Sequence, residues 1–475
     1  MQGTATPRRI TVEQRGIDRI PAEERRGSVL QLSGLWGGVV LNPLTVVYGV
    51  LLVTLGLAPW QCVLAVVIGN LTWIVTGLCS LIGPAAGTPT FVVSRAIMGR
   101  WGNRPLALLN WAMQVGYEVL DLVLMVLAVN ALLDMAGVHV SGSTKLVVMV
   151  VLSLGQSALP LLGHAAILRT VRSMVLPFAA GFAVLAYLTM DRLHTPGIAA
   201  GDWAAFLGGI ALVASGSGLG WTPNAADVSR YLPENTGRTR HVAAVAAGAA
   251  VPQILLMLVG VGVGFVTPAA SDPVSGLPAA FPGWFTVPFL LLLIVQLGAL
   301  NGLNLYSSGL TLQSAGLPLS RIAAVLLDSA MCTVLAGIVL SSGSFNTALS
   351  NFLLFMIVWF APWSAILVVD YFLRRARYSD TSLERPARWG KPGVIAQVLG
   401  MAAAALWLVT TVWSGWIAQA VGGMDLSVFA GLGVGGISYW LLARRGYRTK
   451  LEIRSGVTLP ATVEADIHLK EGVSQ

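Results

Sequence analysis

The sequence predicts an all-α polytopic membrane protein. Twelve transmembrane helices are expected, the first ten forming a five-plus-five inverted repeat with helices 1 and 6 broken. Three observations predict it. The first is composition: of 475 residues, 55% are hydrophobic and 11% charged, with mean hydropathy +0.76. A soluble domain carries about 25% charged residues, and no soluble fold of this length hides so much apolar surface. The second is charge placement: of 29 Lys and Arg, all but Lys145 and Arg192 fall on one side when the chain is threaded through twelve spans. The third is a matched pair of helix-breaking stretches, one in each half.

A crossing helix needs about 20 mostly apolar residues. The candidates, numbered here as spans 1 to 12, are residues 31–56, 58–82, 105–133, 146–163, 171–190, 203–222, 242–266, 284–306, 321–340, 347–370, 393–412 and 424–443. Residues 1–30 are polar and Arg-rich, without the apolar core or cleavage site of a signal peptide. They read as a cytoplasmic N-terminal tail, and residues 444–475 as a C-terminal one. Cytoplasmic loops carry the excess of Lys and Arg, so both termini are expected inside the cell membrane. The net charge of +8 is then an orientation signal with some pull on anionic lipid; no nucleic-acid partner is expected. Cys62, Cys79 and Cys332 lie in apolar spans and read as small buried hydrophobes, with no disulfide or metal spacing. Trp60, Trp101, Trp284 and Trp416, near span ends, read as interface anchors.

Span 1 carries Gly34, Gly37 and Gly38, then Asn42-Pro43. Span 6 carries Ser215–Asn224, SGSGLGWTPN. Such Gly- and Pro-rich stretches are poor choices for a continuous helix. Broken backbone at membrane depth survives only where it is buried or lines a cavity. Paired interruptions in corresponding spans point to an inverted repeat with a central site; a packing kink is the plainer alternative. Spans 1–5 (residues 31–190) form the first repeat and spans 6–10 (203–370) the second, with spans 11 and 12 (393–443) outside. Five spans is an odd number, so the second repeat enters from the opposite side.

Span 3 places Asn110, Gln114, Tyr117, Glu118 and Asp121 at i, i+4, i+7, i+8 and i+11, on one helix face. Each carboxyl in an apolar span costs a few kcal/mol on insertion scales, so Glu118 and Asp121 should face a polar cavity, pair, or be protonated. Span 8 contributes Gln296, Asn301 and Asn304, and amides can read a heterocycle edge or bond neighbouring helices. Asp328 is a lone acid in span 9, a proton-coupling residue or a packing acid. Asp227 and Asp370, beside Arg230 and Arg374, read as structural anchors at cytoplasmic ends. Trp221 and Tyr117 offer faces on which a flat ligand could stack, or fill space between helices.

Five stretches stand out together: Gly69-Asn70 with SLIGPAAGTPTFVVSRAIMG (80–99), Asn110 through Asp121, DVSRYLP (227–233), NGLNLYSSGL (301–310) and DYFLRRARY (370–378). In this order and spacing the chain resembles the nucleobase–cation symporter-1 family, purine–cytosine permease type. The stretches resemble, in turn, the family's second span with the amphipathic loop after it, its third span, the exit of span 6, span 8 with its exit, and the loop after span 10. The resemblance implies a sodium-symporter-like, APC-type fold and uptake of a nucleobase with a cation by alternating access. It implies that Gln114, Tyr117, Asp121, Gly218, Trp221 and Asn301 bind substrate, with Asn42 a looser match. Tyr117 stands where the family has a stacking Trp, and Asp121 where it has an amide, which turns the expected preference toward a more basic heterocycle. Gly218 stands where hydantoin and cytosine carriers place an aromatic. Val295-Gln296 replaces the Ser/Thr pair of sodium-coupled members. Protons are therefore favoured over sodium as coupling ion, with Glu118, Asp121 and Asp328 as candidate carriers and no cofactor.

Two other readings compete: a carrier for allantoin, a hydantoin or a vitamin precursor, and, more remotely, a receptor that binds without flux. An enzyme is not expected. His139, His164, His194, His241 and His468 lie near or beyond span ends and share no ligand spacing, and no nucleophile–base pair is evident.

Overall fold

The computed structural model describes residues 17–162, 164–193, 200–266, 281–317, 319–342, 345–378 and 380–454. The outer parts of both expected tails, 1–16 and 455–475, lie outside the described residues.

Each of the twelve stretches falls on helix. By length and apolarity, eight helices among the described residues can cross a membrane, and the bent pair Val29–Val40 and Pro43–Thr54 makes a ninth. Gly142–Ala158 and Lys391–Trp407, at the expected spans 4 and 11, are apolar but shorter. Span 12 lies within the helix Ser427–Arg454.

The boundaries differ in three places. Span 11 stops at Trp407, because Val409 and Ser414 close an antiparallel bridge instead of continuing the helix. The last helix runs past residue 443 to Arg454, into the stretch expected as tail. The stretch expected as a loop after span 2 is largely helical: Ile82–Ala86, then a helix from Thr90 that changes direction at Gly99 (φ 77°) before span 3.

Packing sorts most of the helices into three groups. Span 7 (Arg238–Val266) packs on both halves of span 1 and on span 2, and span 2 packs on span 6. Separately, span 3 packs on span 8 (Gly283–Ser314), and span 9 (Arg321–Ser342) packs on spans 3, 4 and 8. Spans 10, 11 and 12 pack on one another. Apolar helices in lipid associate by close packing, and small residues let backbones approach. A Cβ added at Gly49 would stand 2.0 Å from Met257 O, and one at Gly260 2.0 Å from Val46 O. The second half of span 1 therefore touches span 7 backbone to backbone.

The end of span 6 that carries the arginines is closed by polar contacts. Ile20 N donates to Gly87 O (2.9 Å), Arg25 Nη1 to Pro84 O (3.0 Å) and Gly27 N to Tyr231 O (2.9 Å). These bonds pin residues 20–27 across the ends of spans 2 and 6. Asp370, expected as an anchor, accepts from Arg374 Nε (2.7 Å), Tyr439 Oη (2.6 Å) and Tyr447 Oη (2.8 Å). Burial works against the Arg374 charge, but Asp370, Tyr447 and Tyr378 together hold its guanidinium above the ordinary arginine range. Asp227 Oδ1 accepts from Thr90 N (2.9 Å) and Thr90 Oγ1 (3.1 Å). Cys62, Cys79 and Cys332 are buried free thiols, while Trp60, Trp101, Trp284 and Trp416 are exposed.

Candidate substrate site between the two broken helices

Both interruptions are present. Span 1 bends by 55° between Val40 and Pro43. Asn42 caps the second half: its Oδ1 accepts from Thr45 N (3.1 Å), its Nδ2 donates to Val39 O (2.8 Å), and Pro43 sits at the first helical position. A side-chain oxygen at this position satisfies an orphan N–H of the new helix, and proline needs no partner there. The Asn42 amide, expected to face substrate, is thus engaged by its own helix.

Span 6 runs as α-helix over Trp203–Ala214, then passes through a wide turn at Ser215–Leu219 and a tight one at Thr222–Asn224 before Ala225–Ser229. Ser217 leaves helical geometry (φ −114°, ψ −129°). Backbone groups freed at membrane depth need partners, and neighbours provide them. Thr76 Oγ1 donates to Gly218 O (2.5 Å), Gln253 Nε2 to Gly216 O (3.3 Å) and Thr222 Oγ1 to Leu219 O (2.8 Å). Ser215 Oγ bonds Leu353 O, and Ser217 Oγ bonds Val213 O.

Gly218 does not face span 3. A Cβ there would stand 2.2 Å from Trp73 N and 2.3 Å from Thr72 C, so this glycine lets span 6 seat against span 2. Trp221 is half-buried, with its ring 5.9 Å from that of Trp36 in edge-to-face contact; Trp36 in turn meets Trp73 at 5.4 Å.

The polar face of span 3 is turned toward spans 6 and 8. Gln114 Nε2 donates to Asn224 Oδ1 (2.9 Å), just past the break, and Asn110 Nδ2 to Thr311 Oγ1 (2.9 Å) on span 8. Tyr117 is half-buried, edge-on to Phe352 at 5.1 Å. A Cβ on Gly220 would meet the Tyr117 hydroxyl at 2.9 Å, so that hydroxyl reaches the break. A Cβ on Gly216 would meet the ring of Tyr48, on span 1, at 2.7 Å, so that ring also reaches the break.

Glu118 and Asp121 are 0% and 1% exposed, and none of their four carboxyl oxygens has a hydrogen-bond partner among the described residues. Asp328 is different: Ser308 Oγ donates to its Oδ2 (2.5 Å), and Trp111 Nε1 bonds its Oδ1. Asn301 Nδ2 donates to Gln156 Oε1 (2.8 Å) and to the Glu118 carbonyl (3.1 Å), which ties span 8 to spans 3 and 4. Two amide groups nearby keep an open polar atom, Asn110 Oδ1 and Asn224 Nδ2.

The expected residues therefore divide. Gln114, Tyr117 and Trp221 gather around the second break, with Asp121 one turn beyond Tyr117 on the same helix face. Asn42, Gly218 and Asn301 serve the backbone or a neighbouring helix. Asn224 and Tyr48 also lie at the second break, while Gln156 ties span 4 to Asn301, and sequence reasoning missed all three. Asn224 was within reach, since it ends the interrupted stretch itself. Tyr48 and Gln156 carry no spacing signal. No group of three or more His, Cys, Asp or Glu able to hold a metal occurs among the described residues.

Comparison with known proteins gives the family. The family described as permease for cytosine/purines, uracil, thiamine, allantoin matches residues 19–442. The putative purine-cytosine permease YxlA of Bacillus subtilis is 29% identical, covering 93% of this chain and 99% of its own length. The purine-cytosine permease fcyB of Emericella nidulans is 26% identical, covering 91% of this chain and 88% of its own. In fold, the chain is similar to Mhp1, a nucleobase-cation-symport-1 family transporter, closed with bromovinylhydantoin bound. That likeness has a TM-score of 0.71 at 16% identity and covers 93% of this chain and 97% of Mhp1. The inward-facing conformation of Mhp1 gives 0.72 at 14% identity, over 92% and 95%. Broken helices in corresponding spans, a polar helix face turned toward them and a family match over most of the length lead to one conclusion: the chain belongs to the family of permeases for cytosine, purines, uracil, thiamine and allantoin.

Proposed function

We propose that the protein imports a planar nucleobase, cytosine or a purine, across the cell membrane by proton symport, with both termini in the cytoplasm. One observation carries the coupling: two buried carboxyl groups, Glu118 one turn and Asp121 two turns beyond Gln114, have no hydrogen-bond partner among the described residues. An ionised carboxylate buried alone is costly. A proton, or the donor edge of a bound base, removes that cost, so binding of the two is linked through the same side chains. The base stacks at Tyr117 and Trp221. Asp121, Gln114 and Asn224 read its edges. Spans 1, 2, 6 and 7 rock against spans 3, 4, 8 and 9, and substrate and proton shift that equilibrium by their differential affinity for its two states.

Supporting the substrate class are the family match and the names of the relatives, which are purine-cytosine permeases. A second reading, a carrier for another small heterocycle such as allantoin or a hydantoin, has its own support. Asp121 adds a carboxyl to the site, and Mhp1 holds bromovinylhydantoin. Uptake into proteoliposomes with an inward proton gradient tests both, with labelled cytosine and adenine competed by unlabelled heterocycles. Gradient-dependent accumulation is expected. No accumulation of any purine, pyrimidine or hydantoin ends the proposal, and uptake that needs sodium and ignores pH rejects the proton.

A further inference from the structure

Breaking span 1 releases main-chain carbonyls at membrane depth. Unwound carbonyls and the C-terminal ends of half-helices are what transporters offer to a coupling cation. Such a cation needs several oxygen ligands, usually with help from a neighbouring helix. Here the neighbouring helix supplies the opposite chemistry. Gln296 Nε2, on span 8, donates to Gly38 O at 2.9 Å and to Leu41 O at 2.9 Å. The side chain is 2% exposed, and its Oε1 has no hydrogen-bond partner among the described residues. A primary amide has two N–H groups, so each carbonyl can take one. Val295 beside it brings no oxygen. The carbonyl pair at the break thus faces a fixed partial positive charge that belongs to the protein.

We propose that the Gln296 amide is a built-in substitute for a cation at the span 1 break. It satisfies two carbonyls that a cation entering the break would need, ties the mobile span 1 to span 8, and makes the protein indifferent to sodium at this place. A sodium site does not fit the residues present: two carbonyl acceptors already hold donors, and the donor amide would have to turn over before an ion could enter. The inference rests on the transport reading only in calling span 1 mobile. An amide carries no net charge, so this tie contributes nothing to driving transport. The coupling charge must then move elsewhere in the protein.

The test uses the purified full-length protein in detergent, without substrate. Melting temperatures are compared in sodium chloride and choline chloride at equal ionic strength for wild type, Gln296→Glu and Gln296→Ser. Wild type should show no sodium-specific shift. Gln296→Glu turns the donor into an anionic oxygen facing two carbonyls, and should gain a sodium-specific rise of about 2 °C or more at saturating ion. Should that variant fail to fold, Gln296→Ser, which removes both amide N–H groups and leaves one short hydroxyl able to turn its oxygen toward an ion, is read for the same sign. A sodium-specific rise in the wild type overturns the proposal. So does equal indifference of wild type and every folded variant. Because no substrate enters the measurement, its failure is separable from a failure of the transport assay.

Discussion

Replacing Gln253 with alanine should be among the most damaging single changes to the second break. Two buried groups share that amide: Trp73 Nε1 donates to Oε1 at 2.6 Å, and Nε2 donates to Gly216 O at 3.3 Å. Trp73 is fully buried, and Gln253 nearly so. Leaving a buried donor unpaired costs about 1–3 kcal/mol. Interhelical hydrogen bonds in a membrane protein average only about 0.6 kcal/mol by double-mutant cycles, because unfolded helices in lipid also find partners. For Gly216 O the smaller figure applies, since the bond is long and a carbonyl has two lone pairs to place. For Trp73 the larger figure applies, since an indole offers a single N–H and its bond here is short. The cavity left by the truncated side chain adds to both. The expected loss is about 2–4 kcal/mol. Reversible unfolding in mixed detergent micelles measures it, with Trp73→Phe and the double variant completing the cycle. The coupling between the two sites should be about 1 kcal/mol or more. A coupling below about 0.3 kcal/mol would refute the reasoning, because Trp73 and Gln253 would then be neighbours that do not depend on each other.

Other expectations follow the same logic. Asp121→Asn replaces the carboxyl with an amide and should change which heterocycles stabilise the protein in a thermal-shift screen; an unchanged ligand profile would remove Asp121 from the reading of selectivity. Gly260→Leu forces a side chain into the Val46 backbone and should cost at least about 1–3 kcal/mol. Gly34→Ala, with nothing within 4 Å of the added carbon, should be neutral or stabilising by up to about 1 kcal/mol; unfolding midpoints separate the two. Asp370→Ala strips the acceptor from Arg374, Tyr439 and Tyr447 and should cost about 3–5 kcal/mol, whereas Tyr447→Phe should cost about 1 kcal/mol or less.

The fold class was legible because lipid imposes simple rules. Apolar runs, basic loops and helix breakers are written directly in residue type, and both breaks fall where glycine and proline put them. The polar face of span 3 was legible for a similar reason: a 3.6-residue period gathers residues 110 to 121 on one side whatever surrounds them. The partners of that face were not, because a helix period says nothing about which rod lies opposite. Asn301 matched a substrate-contacting position, yet its amide is taken by Gln156, 145 residues away in sequence. Asn42 is an instructive case. An Asn followed by Pro is a helix-start signal in its own right, and the local capping reading could have been preferred to the ligand one. Gly218, where other carriers place an aromatic, lacks a side chain because span 2 lies against it.

The bare contact between the second half of span 1 and span 7 restricts how this molecule can flex. With peptide groups touching at Gly49 and Gly260, no cushion of side chains lets one rod slip along the other. The two form a single plank, so bending of the pair is pushed to the plank's ends. One of those ends is the Val40–Pro43 corner, the hinge where Asn42 already replaces the lost helical bonds.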